Sequence, residues 1–278
     1  MVESFAEVNG IRLCYSIDGK GYSIILVNGF GSKKEGWMGQ IPALSKKFKV
    51  ISFDCRGSGK SDRPDMPYTM EMFADDIKGL MDFLNIEKAH CIGFSFGGMI
   101  LQHFALKYPK KLEKLVLINS IPRIPEGYGP EMFIKSHLNG LELLKQDKVK
   151  AFWHGAKTGF YVKFRKEMEQ NPKKKFYNLW SVEDLINYYS INPPSPIDIK
   201  NMAYALTTHD IYERLQEIKN KTLILAASHD KLVPKSVMLE LYNKIPNSIF
   251  KIIEKAGHES IKEKAPLVNQ ALIDFLMN

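Results

Sequence analysis

The sequence predicts an α/β chain, a largely parallel sheet with helices on both faces, interrupted once by a helical insertion. Three observations predict it. Short runs of strand length alternate with helix-length patterns at both ends of the chain. Most of these runs are apolar throughout, as strands buried on both faces are. One of them, ending at Ile92, passes through Gly93, Ser95, Gly97 and Gly98 straight into an apolar helical stretch from Met99 to Tyr108.

Taken in order, residues 4–8 and 11–17 flank Asn9 and Gly10, a pair suited to a two-residue hairpin turn. Residues 23–28 form a buried strand that runs into Gly29, Phe30 and Gly31, and residues 37–44 a short helix. A strand over 49–54 ends in a glycine-rich turn with Asp54, Arg56, Gly57, Gly59 and Ser61. Thr69 is placed to cap a helix whose stripe is Met70, Phe73, Ile77, Leu80, Met81 and Leu84. The strand and helix around Ser95 follow, then a strand over 115–118. The alternation resumes with a strand over 221–227, a helix over 235–244 and a strand over 248–254. A last helix begins near Pro266, with Leu267, Val268, Ala271, Leu272, Phe275 and Leu276 on its apolar side.

Between Ile121 and Thr208 the alternation stops. No strand pattern occurs there, and helical spacing takes over, most clearly across 131–145. The stretch holds seven of the 14 prolines and 13 of the 31 aromatics (16 Phe, 3 Trp, 12 Tyr). Its 13 basic and 9 acidic residues give 13 − 9 = +4, half of the chain's net +8. It reads as a cap, so the expected division is a core of 1–120 and 209–278 with a cap of 121–208. Pro193, Pro194 and Pro196 make a stiff joint inside it. Most of its aromatics are expected to pack on one another, and a few to line a pocket, with Trp153, Tyr161 and Trp180 as candidates.

Composition narrows the partners. The 278 residues are 45% hydrophobic and 25% charged, as in ordinary globular chains. Of 39 basic residues only Arg12, Arg56, Arg63, Arg123, Arg165 and Arg214 are arginine, and the lysines are dispersed. Arginine is the fork that grips phosphate and base edges, so this balance speaks against nucleic acid as a partner. Cys14, Cys55 and Cys91 are widely spaced, show no metal-binding pattern and read as reduced core thiols. No apolar run approaches the ~20 residues of a membrane span, and no charged segment followed by an apolar one opens the chain. The expectation is a cytoplasmic protein, with monomer and homodimer both open.

A bare G-x-S-x-G pattern arises by chance on the order of one time in ten at average glycine content. The strand before it and the helix after it give it chemical meaning, because that context holds the serine clear of the sheet above a helix N-terminus. A serine hydroxyl needs a base to take its proton, and the base needs an acid to orient it. In an open parallel sheet these groups meet at the C-terminal ends of strands. Ser95, Asp230 and His258 each follow a separate predicted strand, in the order serine, acid, histidine. His229 adjoins Asp230 and so points elsewhere. His90 and His103 belong to the elbow's own strand and helix, while His137, His154 and His209 lie in or beside the insertion. Asn119, at the strand end after Ile118, offers no carboxylate. Two backbone donors are needed for the oxyanion: the Phe96 amide, and the Phe30 amide between Gly29 and Gly31.

As a spaced set, these residues resemble the α/β-hydrolase superfamily. The set is Asn28 to Gly31 with Trp37, the Asp54 to Ser61 turn, Gly93 to Gly98, Asp230, and Gly257 with His258. They are most similar to its small carboxylesterases and 3-oxoadipate enol-lactonases, over about 1–120 and 209–278. The resemblance implies the α/β-hydrolase fold, with Ser95 as nucleophile, His258 as base and Asp230 as its partner. It also implies Phe30 and Phe96 as oxyanion donors, with no metal and no cofactor. The Asp54 to Arg56 turn is expected to brace the loop beside the site. Asn28 departs from the pattern, since many members have histidine there. Serine at the elbow disfavours the dehalogenases and epoxide hydrolases, which use aspartate. The implied substrate is a small-molecule carboxylic ester, lactone or thioester. Carbon–carbon bond hydrolysis, peracid formation and slow-turnover ligand reception by the same fold stand as alternatives.

Overall fold

Asn9 and Gly10 take positive φ values of 49° and 75°, and the hairpin they close pairs Val8 with Ile11. It joins β1 (Glu3–Val8) to β2 (Ile11–Asp18) in a computed structural model that describes residues 2–127 and 129–278. The other strands are β3 (Ser23–Val27), β4 (Lys49–Phe53), β5 (Ala89–Phe94), β6 (Leu112–Ile118), β7 (Lys221–Ala227) and β8 (Ser248–Ile253). Among the described residues they form one eight-stranded sheet in the order β1-β2-β4-β3-β5-β6-β7-β8. β2 pairs antiparallel with β1 and β4, and every pairing from β4 to β8 is parallel.

Period-two alternation divides the core into two layers. Ile25, Val27, Ile51, Cys91, Leu115, Leu117 and Ile224 face one side. There they meet α2 (Met70–Phe83), α3 (Phe96–Lys107) and α9 (Lys235–Lys244). Ile24, Leu26, Val50, Ile92, Val116, Leu223 and Leu225 face the other, against α1 (Ile41–Leu44) and α11 (Ala265–Met277). Thr69 caps α2, its Oγ1 accepting the Met72 N–H at 3.2 Å. The helix expected over 37–44 is divided into a 3₁₀ turn at Lys34–Trp37 and α1. Pro42 starts the second piece, and Gly39 lies so near α10 (Ser260–Glu263) that a Cβ there would sit 2.8 Å from the Ile261 oxygen.

Between β6 and β7 the described residues form five α-helices: α4 (Pro130–Gln146), α5 (Lys148–Gly159), α6 (Val162–Gln170), α7 (Val182–Ser190) and α8 (Pro196–Tyr204). Phe152, Phe160, Phe164, Met168, Phe176, Trp180 and Leu185 bury against one another as a separate cluster. The proline-rich joint lies between α7 and α8, where Ser195 and Asp198 form a capping box. Packing does not follow the sequence break at 208: Met202, Ala203 and Leu206 bury in the layer of α2 and α3.

Candidate active site

Ser95 stands between β5 and α3 with φ 54° and ψ −118°, a conformation that strains any residue with a Cβ. Its flanking glycines allow it. A Cβ on Gly93 would lie 2.5 Å from the Gly97 oxygen, and one on Gly97 would lie 2.1 Å from the Val27 oxygen. The Ser95 N–H donates to the Ile118 carbonyl at 2.8 Å, which locks the elbow to β6. Its side chain is half-buried at the N-terminus of α3, where the helix dipole favours negative charge.

Two further strand ends deliver the partners. His258, after β8, places Nε2 3.0 Å from Ser95 Oγ and Nδ1 2.7 Å from Asp230 Oδ2. Asp230, after β7, is itself fixed: its Oδ1 accepts the Leu232 and Val233 N–H groups, each at 2.8 Å. Asp230 and His258 are both buried. None of the remaining histidines joins the relay, although His137 packs on the Phe30 ring, 4.8 Å between centroids. His229 contacts Ser228 Oγ and packs at a tilt against Tyr161, with ring centroids 4.4 Å apart. His103 and His209 hydrogen-bond to each other, burial pushes His90 down to about 4, and His154 is exposed.

The loop after β3 faces the elbow. Among the described residues, neither the Phe30 nor the Phe96 N–H has a hydrogen-bond acceptor, while the neighbouring Gly31 N–H meets Met202 Sδ at 3.2 Å. The two phenyl rings meet edge to face, 5.4 Å between centroids. Asn28 closes the loop by donating from Nδ2 to the Lys33 carbonyl at 2.6 Å. Asp54 accepts the Lys34 N–H at 2.7 Å and the Lys60 N–H at 2.9 Å, so the turn after β4 braces this loop. Arg56 holds Asp76 of α2 through two bonds of 2.6 and 2.7 Å.

A cavity of about 270 Å³ opens beside His258, walled by Leu144, Phe152, Phe160, Tyr189 and Leu232. Its polar lining includes Glu259, whose Oε1 accepts the Tyr189 hydroxyl at 3.0 Å and whose Oε2 accepts from Lys262. Burial alone would raise the Glu259 carboxyl, yet the Lys262 ammonium beside it holds it below the usual range. No group of three or more His, Cys, Asp or Glu side chains among the described residues could hold a metal ion. None of the described helices is long and apolar enough to cross a membrane.

The chain matches the family described as alpha/beta hydrolase fold over residues 22–265. It belongs to that family. The curated relative named "Putative carbamate hydrolase RutD" from Caulobacter segnis is 30% identical over 275 residues, 97% of each chain. The 2-hydroxy-6-oxononadienedioate/2-hydroxy-6-oxononatrienedioate hydrolase of Comamonas testosteroni is 27% identical over 288 residues, 98% of this chain and 93% of its own. Among solved structures, the enol-lactonase from Burkholderia xenovorans LB400 matches with a TM-score of 0.84 at 26% identity. That match covers 99% of this chain and 100% of the other. The protein is an α/β hydrolase, and its enol-lactonase-like resemblance extends to the whole fold.

The α/β hydrolase brings Ser95, Asp230, His258, Phe30 and Phe96 to one point. The three aromatics expected at the pocket lie elsewhere. Trp180 is fully buried in the insertion's own cluster, stacked on Phe176 at 4.9 Å. Tyr161 leans on His229, and Trp153 packs edge-on against Phe152 at 5.1 Å, outside the cavity wall. Phe152 of α5, Phe160 directly after that helix and Tyr189 of α7 line the cavity instead. Their helical phase was readable, but the direction of each helix over the sheet was not. The sequence marks Asn119 only as a strand end without a carboxylate, and it gives no sign of Glu263. Asn119, with φ 47°, and Glu263, in α10, both hold the turn that carries His258.

Proposed function

We propose that this α/β hydrolase is a serine hydrolase that cleaves carboxylic esters, lactones or thioesters through an acyl-enzyme. The observation that carries the reading is the unbroken relay from Ser95 Oγ to His258 to Asp230, at 3.0 and 2.7 Å, facing two unpartnered backbone donors. In this mechanism Ser95 Oγ attacks the carbonyl carbon while His258 Nε2 takes the hydroxyl proton. Asp230 accepts the Nδ1–H and stabilises the imidazolium. The carbonyl oxygen becomes an oxyanion between the Phe30 and Phe96 N–H groups. Collapse expels the alkoxide or thiolate, which His258 protonates. Water, deprotonated by His258, then attacks the acyl carbon and releases the acid and free Ser95. No metal or cofactor enters these steps.

The apolar cavity beside His258 supports an uncharged, partly apolar acyl group as the part of the substrate held there. In this reading residues 121–208 act as the cap and 1–120 with 209–278 as the core. The three free, buried cysteines support a reducing compartment such as the cytoplasm.

The test is turnover of p-nitrophenyl acetate and butyrate by the wild type and by Ser95→Ala. Rates no better than the variant's would sink the esterase reading. An organophosphonate adduct mapped to any residue but Ser95 would contradict the nucleophile. The dienedioate hydrolases among the relatives make carbon–carbon cleavage the second reading. Faster loss of a 2-hydroxy-6-oxo-dienoate chromophore than of any ester would favour it.

A further inference from the structure

The turn that carries His258 is fastened to the insertion by a carboxylate that the proposed reaction does not use. Glu263 is fully buried, and its two oxygens accept backbone N–H groups from two distant parts of the chain. One donor is Gly257, the residue before His258. The other is Tyr161, directly before α6, at 3.0 Å. The two segments touch: a Cβ on Gly257 would lie 2.8 Å from both the Gly159 oxygen and the Tyr161 nitrogen. The Glu259 N–H donates to the Gly159 carbonyl at 2.8 Å, and the Tyr177 hydroxyl to the Glu263 carbonyl at 2.6 Å.

We propose that Glu263, as a carboxylate, is a positioning residue that sets His258 against Ser95 only while residues 159–161 are seated on it. The geometry stands independently of the acyl-enzyme reading, and the kinetic consequence rests on that reading. A carboxylate offers a full acceptor to each N–H, whereas protonation leaves one of its oxygens a hydroxyl, a weaker acceptor whose own proton needs a partner. Burial pushes Glu263 up to about 7 against the pull of the two N–H groups. The charged and titratable groups that act on it are Lys264 and Glu259 on its own stretch and the Tyr177 phenol from the insertion. Of these, Glu259 is held below the usual carboxylate range by Lys262. Glu263 is therefore the carboxyl here that changes state near neutrality, and the brace loosens as the pH falls through that range.

Two readouts on the full chain test this: kcat/KM for p-nitrophenyl butyrate from about pH 5 to pH 9, and an NMR titration of the labelled His258 ring without substrate. In the wild type the acid limb should be steeper than one ionisation, because the histidine base and Glu263 both take up protons. Glu263→Gln keeps one acceptor oxygen and should reduce the limb to a single ionisation. Glu263→Ala should lower kcat by up to about 100-fold with little change in KM, since the carboxylate does not touch substrate. If Glu263→Ala does not fold, Glu263→Gln carries the test. A single-ionisation limb in the wild type, or an unchanged steep limb in Glu263→Gln, overturns the proposal. If wild-type turnover does not exceed that of Ser95→Ala, the ester reading has failed and the NMR arm decides. Two ionisations sensed by His258 in the wild type and one in Glu263→Gln support the brace, and identical titrations overturn it.

Discussion

Asn119 Nδ2 donates to the backbone carbonyl of His258 at 2.7 Å, so the end of β6 holds the loop after β8 directly. The same amide donates to Ser260 Oγ at 3.0 Å and accepts the Ala227 N–H at 3.0 Å. One buried side chain thereby spans three strand ends. Asn119→Ala leaves the His258 carbonyl and the Ala227 N–H without this partner. Stability should fall by about 2 kcal/mol, the cost of stranding buried polar groups. Ester turnover should fall by up to about 100-fold as His258 drifts from Ser95. Urea unfolding and p-nitrophenyl butyrate kinetics measure the two effects, and a kcat within twofold of wild type would remove Asn119 from the positioning of His258.

Asp230→Asn tests the relay without disturbing its frame. Asp230 Oδ1 accepts two backbone N–H groups at 2.8 Å, so the amide of asparagine must turn its oxygen to them and its NH2 towards His258. A donor facing Nδ1 forces the imidazole proton onto Nε2, the nitrogen that has to accept from Ser95. The expected result is a loss of about 10⁴ in kcat, as for a mis-set tautomer in other triads. The melting temperature should change little. A loss under tenfold would mean that the tautomer is not set by this bond.

The difference between what the sequence revealed and what it hid follows from range. Ser95, Asp230 and His258 were legible because each follows a strand, and a parallel sheet brings such ends together whatever the loops do. The two-sided burial of β3 to β7 was legible for the same reason, since apolar runs report it locally. Trp180 was misassigned because composition marks an aromatic as buried without saying in which cluster, and it stacks on Phe176. The bonds of Glu263 and Asn119 were hidden, although Asn119 stands at a predicted strand end, because nothing local distinguishes a surface carboxylate or amide from one that accepts or donates across more than 100 residues. Glu263 finds its distant partner in the insertion, and Asn119 finds its partners at the end of β7 and in the loop after β8.

Glu263 should also leave a mark on stability. Its carboxyl, ordinarily near 4.5, stands at about 7 in the folded chain, chiefly through burial. Between those values the native state binds the proton more tightly than the unfolded state, so this contribution is full below about pH 4.5 and is lost as the pH rises through 7. Glu263→Gln does not ionise and escapes the loss. Apart from a constant cost for the N–H that loses its acceptor, its stability relative to wild type should rise from about pH 5 to pH 8, by about 3 kcal/mol at most. Urea unfolding of both proteins across that range measures it. A variant less stable at pH 8 than at pH 5, relative to wild type, would reverse the sign. Gained stability together with lost turnover is the expected signature of a buried charge retained for positioning.

The size of the cavity beside His258 depends on α5 keeping small residues where it faces α4. Gly155 lines this space, and a Cβ added there meets no atom within 4 Å. Gly155→Leu can therefore grow into the opening without displacing backbone. A glycine in a helix interior is about 1 kcal/mol worse than alanine, and leucine is a good helix former, so the variant should fold at least as stably as wild type. The added side chain occupies room that a longer acyl group would need. The ratio of kcat/KM for p-nitrophenyl hexanoate to that for the acetate should fall by about tenfold, the scale on which one or two methylenes discriminate in an apolar site. An unchanged ratio in a stably folded variant would show that the acyl chain leaves Ser95 in another direction, away from α5 and Tyr189.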